Sequence, residues 1–318
     1  MPKPSVVAVV DIGSNSIKSL VAARDDCGGI VAQLAQAIDA RISAGIGQAR
    51  PRLSEDGMQQ GLAAIRELLD GIAAFAPEQT VLVATSAVRD AANGAEFARR
   101  IKTATGHGLR ILSGEEEASL IGRGLTSDQR LADLQSFDVF DLGGGSLECL
   151  AFRDRRIEQA ISLPLGCVRL TERCVDNPDL PFTAQSRAEI GAVCREAFAA
   201  GGFRFSPAPG SGAVFTGGTI TTVREILAAR SGVAFSATSP VISVEALRTL
   251  LDEVAVLPLA ARRQVAGLPA ARADVFPTAL TTALAVAEIG GFTSFRNSLH
   301  NLRYGLAAEL LDVRASTM

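Results

Sequence analysis

Apolar runs alternate with short polar turns from the start of the chain. VVAVV at 6–10 leads into DIGSNS at 11–16, and a second apolar run follows. The pattern recurs at 137–140, where FDVF leads into DLGGGS at 141–146 and again into an apolar run. Laid over one another, the copies bring Asp11 onto Asp141, Gly13 onto Gly143, Ser16 onto Ser146 and Leu20 onto Leu150. Each copy reads as strand, tight polar turn, strand: a hairpin whose turn carries Asp, Gly and Ser. One such hairpin in each half of the chain predicts a duplicated α/β domain, with the two turns facing one another across a cleft.

Between the hairpins the pattern predicts a strand or strand pair over 30–39 and a Gly-containing loop at 40–47 that holds Arg41, a solvated charge by default. From Ser54 the apolar positions Met58, Leu62, Ile65, Leu68, Leu69, Ile72 and Phe75 recur at three and four, an amphipathic helix capped by Ser54. A buried strand at 81–84 empties into TSAVRD, and the ends of such strands are where α/β sheets bind ligands. Thr85 and Ser86 read equally well as turn caps, with Arg89 solvated. Asn93 with Glu96 reads as a capping box for the next helix.

A short strand at 111–112 runs into SGEEEA, where Ser113 and Glu116 form a second capping box. Three carboxylates there suit the positive end of a helix. They exceed what capping requires, however, and a carboxylate so placed is what general-base chemistry needs. The polar stretch at 125–136 marks a boundary, dividing the chain into 1–127 with about 300–318, and 128–299.

The second half repeats the order of the first, with a strand at 159–163, a helix from about 183 to 200 and a strand at 213–215. Thr216, Gly217, Gly218 and Thr219 then open a helix, and backbone amides in such a turn suit an anion. Helices over 244–256 and 276–288 flank a loop with Pro258 and Pro269, and NLRYG leads into a last amphipathic helix with Leu306, Leu310 and Leu311 on its apolar face.

Composition narrows the chemistry. The 318 residues, 47% hydrophobic and 20% charged, suit about two soluble domains. No apolar run approaches the roughly 18–20 residues of a membrane span, and the start is a poor secretory signal. Five Cys without a CxxC pair argue against a disulfide framework and a zinc site, so a cytoplasmic location is expected, with neither membrane nor nucleic acid as partner. A net charge of −3 gives no global affinity for polyanions, so a phosphate site must be built locally. With two His in the chain, general-base work falls to a carboxylate.

Glycine in a tight turn lets amides approach a ligand, and neighbouring hydroxyls add donors. Asp11 and Asp141 at the strand ends, with Glu148 across the second hairpin, supply hard oxygen ligands suited to Mg²⁺. Two phosphate turns with an acidic metal site between them spell phosphoryl transfer. Either turn alone is equally a plain hairpin; its recurrence at matching places removes most of that alternative.

The motifs DIGSNS, TSAVRDAANGAEF, SGEEEA, DLGGGSLE, LGCVRLTE, GGTITT and LRYGL, in this order across nearly the whole chain, resemble the exopolyphosphatase / guanosine pentaphosphate phosphatase (Ppx/GppA) family. That family belongs to the actin-like ATPase superfamily, so the resemblance implies two duplicated ribonuclease H-like α/β domains. It further implies a Mg²⁺-dependent hydrolase, with Mn²⁺ as the alternative ion, acting on polyphosphate or guanosine pentaphosphate, and a homodimer.

By the same resemblance Glu117 is the base that activates water and Arg89 lies near the phosphates. Ser14, Asn15 and Ser16, with Gly143, Gly144, Gly145 and Ser146, hold phosphate; Asp141 and Glu148 accompany the metal. The chain is similar to the short, two-domain members, without the C-terminal helical extension of longer ones. Lys18 stands where some relatives carry an Arg implicated in guanosine tetraphosphate binding; it keeps the charge but loses the bidentate fork.

An exopolyphosphatase is the favoured expectation, and a guanosine pentaphosphate 5′-phosphohydrolase the alternative. One Tyr and no Trp disfavour stacking on guanine. A non-catalytic polyphosphate or alarmone sensor has no need of the base at Glu117. A kinase is weaker still, since fold alone does not fix function.

Overall fold

The computed structural model describes residues 5–205 and 212–315. The chain divides into two compact units, residues 1–132 with 300–318, and 133–299. In the first unit β1 (Val6–Ile12) and β2 (Ile17–Arg24) form the expected hairpin and β3 (Ile30–Ile38) follows. Next come α1 (Glu55–Ala73), β4 (Gln79–Ala84), the single turn α2 (Ser86–Arg89), α3 (Gly94–Thr105), β5 (Leu109–Ile111) and α4 (Gly114–Thr126). In the second unit β6 (Phe137–Leu142), β7 (Leu147–Arg153) and β8 (Arg156–Leu163) lead to α5 (Cys167–Cys174), α6 (Ala184–Gly201), β9 (Gly212–Thr216) and α7 (Gly218–Ser231). It continues through β10 (Val241–Ser243), α8 (Val244–Ala255), α9 (Leu259–Arg262), α10 (Phe276–Gly290) and β11 (Ser294–Asn297). The chain then returns to the first unit with α11 (Leu302–Ala315).

The sheets carry the duplication. The first has the order β3-β2-β1-β4-β5, and the second contains β8-β7-β6-β9-β11 with β10 added at its edge. Pairings agree in sense as well as order: β1 with β2 and β6 with β7 are antiparallel, while β1 with β4 and β6 with β9 are parallel. Even an irregularity recurs. The register of the edge strand shifts opposite Val21/Ala22 in one sheet and opposite Ala151/Phe152 in the other. By the overlay of Leu20 on Leu150, these are the same place.

β1 reads as an apolar run up to Asp11 because it lies inside its sheet with nearly every residue buried; β6 is buried throughout, and its Asp138 is paired with Arg153. α1 starts where expected, the Ser54 side chain accepting from the Gly57 amide. Asn93 departs from its expected capping role. Its side chain donates to the Leu53 carbonyl and accepts from the Leu53 amide, both at 2.9 Å, so the carboxamide pins a neighbouring segment instead. Glu96 turns to Arg100. α5 was not foreseen, because its eight residues are too few to show a helical period. All five cysteine thiols are free. Among the described residues no helix is long and apolar enough to cross a membrane.

α4 and α11 cross backbone against backbone in the first unit. A Cβ on Gly305 would overlap the Leu120 carbonyl, and one on Gly124 would overlap the Asn301 carbonyl. Since α4 carries Glu117, this crossing also sets where that carboxylate stands. Replacing Gly305 by Ala forces the helices apart, at a cost of about 1–3 kcal/mol. Thermal unfolding of Gly305→Ala is therefore expected to show a lower midpoint; an unchanged midpoint would contradict the close crossing.

Candidate functional site

In the second unit the β6–β7 turn is built so that its carbonyls are used and its amides are not. The Gly143 carbonyl accepts from the Cys167 amide at 3.0 Å, and the Gly144 carbonyl accepts from Val168 at 2.8 Å and Arg169 at 3.1 Å. These donors are the first amides of α5, which have no partner within their own helix. The Gly145 carbonyl accepts from Arg169 Nε at 2.8 Å, and Gly143 closes the turn by donating to the Ser146 carbonyl at 3.0 Å. Among the described residues, the amides of Gly144, Gly145 and Ser146 donate to no protein acceptor. Three adjacent free amides form a cradle for an anion.

Around this turn stand the groups expected to hold phosphate and metal. Asp141 and Glu148 face each other in the β6–β7 ladder and so project from one face of the sheet. Both are buried, and Glu148 accepts from Ser162 Oγ at 2.8 Å. Gly217 caps α7 with φ 90°, a conformation glycine adopts freely, and a Cβ there would overlap Asp141 Oδ1. Gly218 likewise leaves room for the guanidinium of Arg272. Thr219 is wholly buried, with a hydroxyl that has no partner.

Arg272 is the residue that reading the sequence missed. Its Nε is buried without a partner, beside the Gly217–Gly218 turn. It sits in a 3-10 turn before α10, in what reads as a proline-flanked connection, and no local spacing singles it out. Arg262 holds this loop from below. Fully buried, it donates to the carbonyls of Ala273, Leu257, Pro178 and Leu180 at 2.6–3.1 Å.

The first unit gathers its groups at the C-terminal ends of β1, β4 and β5. Ser14, Asn15 and Ser16 are buried in the β1–β2 turn, and among the described residues their amides donate to no protein acceptor. Ser14 Oγ lies 3.2 Å from Ser86 Oγ, which brings the turn to the start of α2, where Thr85 is also buried. Arg41 is more than a solvated loop charge: its amide donates to the Asn15 carbonyl at 2.9 Å and its Nε to Asn15 Oδ1 at 3.3 Å. Asp11 pairs with Lys18 across the hairpin. Burial pushes the Asp11 carboxyl up, against the pull of Lys18 and of Arg303 from α11.

The three carboxylates of SGEEEA separate clearly. Glu116 completes the capping box with Ser113 and is exposed, Glu115 is exposed, and Glu117 is buried. Arg89 Nη1 donates to Glu117 Oε2 at 2.8 Å and to the Leu112 carbonyl at 3.1 Å. Arg89 thereby ties the end of α2 to the carboxylate and to the strand end before it. Glu117 is the one of the three that capping does not explain.

Asp141 and Glu148 offer two carboxylates to a cation, and among the described residues no three His, Cys, Asp or Glu gather as a cage. Two hard oxygen donors fit Mg²⁺ or Mn²⁺, which keep several waters, and not a structural zinc site. Asp11 is a weaker ligand candidate, since two cations already attend it.

A family model described as the Ppx/GppA phosphatase family matches residues 21–313. Among solved structures, an exopolyphosphatase-like protein is 26% identical, with 98% of this chain and 99% of the other covered and a TM-score of 0.86. The PPX-GPPA enzyme of Aquifex aeolicus is 25% identical, covering 96% and 100%, at 0.74. An exopolyphosphatase from Cytophaga hutchinsonii shares the fold at 21% identity, covering 97% and 98%, at 0.84. The mixed α/β architecture with two sheets is that of the two-domain, actin-like structures.

The Arg89–Glu117 contact has a direct test. In a double-mutant cycle of Arg89→Ala and Glu117→Ala, unfolding free energies are expected to show a coupling of about 1 kcal/mol or more, since the pair is largely desolvated. Additive effects would mean that the contact contributes nothing to holding the carboxylate.

Proposed function

The chain belongs to the Ppx/GppA phosphatase family, and from that premise we propose that it is an exopolyphosphatase, removing the terminal phosphate of inorganic polyphosphate with Glu117 as general base. Family membership makes it a hydrolase of phosphoric anhydrides, and phosphatases of this family generally use divalent metals. The observation that carries the reading is the burial of Glu117 against Arg89 beside two exposed, ordinary glutamates.

Phosphoryl transfer needs an aligned water and stabilised phosphoryl oxygens more than it needs covalent chemistry. In this reading Glu117 orients the attacking water and takes its proton, while Arg89 keeps the carboxylate in one position. The free amides of Gly144, Gly145 and Ser146 donate to phosphoryl oxygens, and those of Ser14, Asn15 and Ser16 are of the same kind in the first unit. Thr219 and Arg272 add a hydroxyl and a guanidinium; Gly217 and Gly218 make room for Asp141 and Arg272. Mg²⁺, when held by Asp141 and Glu148, would neutralise charge on the phosphates.

Polyphosphate is favoured over a guanosine polyphosphate by what the chain lacks for a base. Its one Tyr, Tyr304, stacks on His300 with ring centroids 3.9 Å apart. An aromatic face already covered in this way is not offered to guanine.

Phosphate release with Mg²⁺ from long polyphosphate, short polyphosphate and guanosine pentaphosphate, compared side by side, tests the proposal. A polyphosphate is expected to be the best substrate. Preference for guanosine pentaphosphate would overturn the substrate assignment, and binding without release from any of the three would make the protein a sensor.

A further inference from the structure

A cavity of about 680 Å³ opens on the second unit between α6, α8 and α10. It lies along the second half of α10, whereas Arg272 and the phosphate turn belong to that helix's other end. None of its lining residues takes part in the candidate site.

Three guanidinium groups converge on it, from Arg187 and Arg195 on α6 and Arg248 on α8. Arg187 is paired with Asp252 at 2.9 Å and Arg248 with Glu245 at 3.6 Å, both at solvated positions where a pair contributes little. Arg195 has no carboxylate in ion-pair reach among the described residues. Arg187 also sits in the first turn of α6, which holds no acid, so a cation occupies the positive end of the helix. The helix dipole opposes that placement. A local conflict of this kind, facing a cavity, is relieved when an anion enters.

Apart from the Thr281 hydroxyl and one exposed carboxylate, Glu288, the rest of the lining supplies apolar surface and space. Leu284 and Phe292 offer apolar contact beside the arginines. Gly191 stands inside α6, where glycine is less favourable than alanine. A Cβ there would meet only the Arg195 guanidinium, at an ordinary 3.5 Å, so packing does not demand the glycine. Its effect is to leave the wall of the cavity open. The volume falls in the range of small-molecule sites.

We infer that this cavity is a binding site for a small organic anion, a carboxylate or phosphate head on an apolar body. The site is separate from the proposed phosphatase chemistry, and its test reads binding alone. Titration of the full chain with the fluorescent probe 1-anilinonaphthalene-8-sulfonate is expected to show one saturable site. Arg195→Ala and Arg248→Ala should each weaken it tenfold or more with the thermal unfolding midpoint retained, and Glu117→Gln should leave it unchanged. Displacement by octanoate assigns the carboxylate class, displacement by octyl phosphate the phosphate class, and inorganic phosphate should not compete. Absence of saturable binding, binding that survives both arginine substitutions, or failure of both amphiphiles to displace the probe would overturn the assignment.

Discussion

Gly166 lies with its Cα directly against the Gly144–Gly145 peptides, so closely that a Cβ would overlap the backbone of both. That approach lets the first amides of α5 reach the carbonyls of the β6–β7 turn, and each side satisfies groups the other leaves over. Once the carbonyls are engaged, the peptide planes have little freedom, and the remaining amides stand together without an acceptor. The cradle is therefore largely a consequence of backbone packing, with the Arg169 side chain holding the Gly145 carbonyl. A protein with a net charge of −3 can in this way offer a polyanion a local site that its overall field does not supply.

The first unit solves the same problem with different parts. Its turn has the same place in the same sheet order, but Arg41 and the loop that carries it occupy the Asn15 carbonyl where α5 occupies those of the second turn. The units have also divided their acidic groups. Asp141 pairs across its ladder with Glu148, another carboxylate, whereas Asp11 pairs with Lys18. Duplication preserved the scaffold, and the residue facing the strand-end Asp differs between the copies, a carboxylate in one and an ammonium in the other. Glu117, the proposed base, lies on yet another element, α4, whose position depends on the glycine-to-glycine crossing with α11.

What was legible in the sequence was what is local and repeated. The overlay of Asp11 on Asp141 reported the duplication, the SxxE spacing reported the Ser113 cap, and apolar periodicity reported α1, α6 and α10. What was not legible depends on long-range contact. Asn93 has the right spacing to cap α3, but a segment 40 residues earlier competes for its carboxamide. Three consecutive glutamates look alike in sequence, and burial beside Arg89, 28 residues away, distinguishes Glu117. Arg272 acquires its meaning from a glycine more than fifty residues back in the chain, at Gly218.

Glu117→Gln separates a chemical role for this carboxylate from a structural one. The amide keeps the size of the side chain and can still accept a hydrogen bond from Arg89, but it cannot take a proton. Polyphosphate affinity and turnover should be measured on the same preparation. Affinity is expected to stay close to that of the parent protein, with turnover lower by about a hundredfold or more. Turnover that survives the substitution would rule Glu117 out as the base.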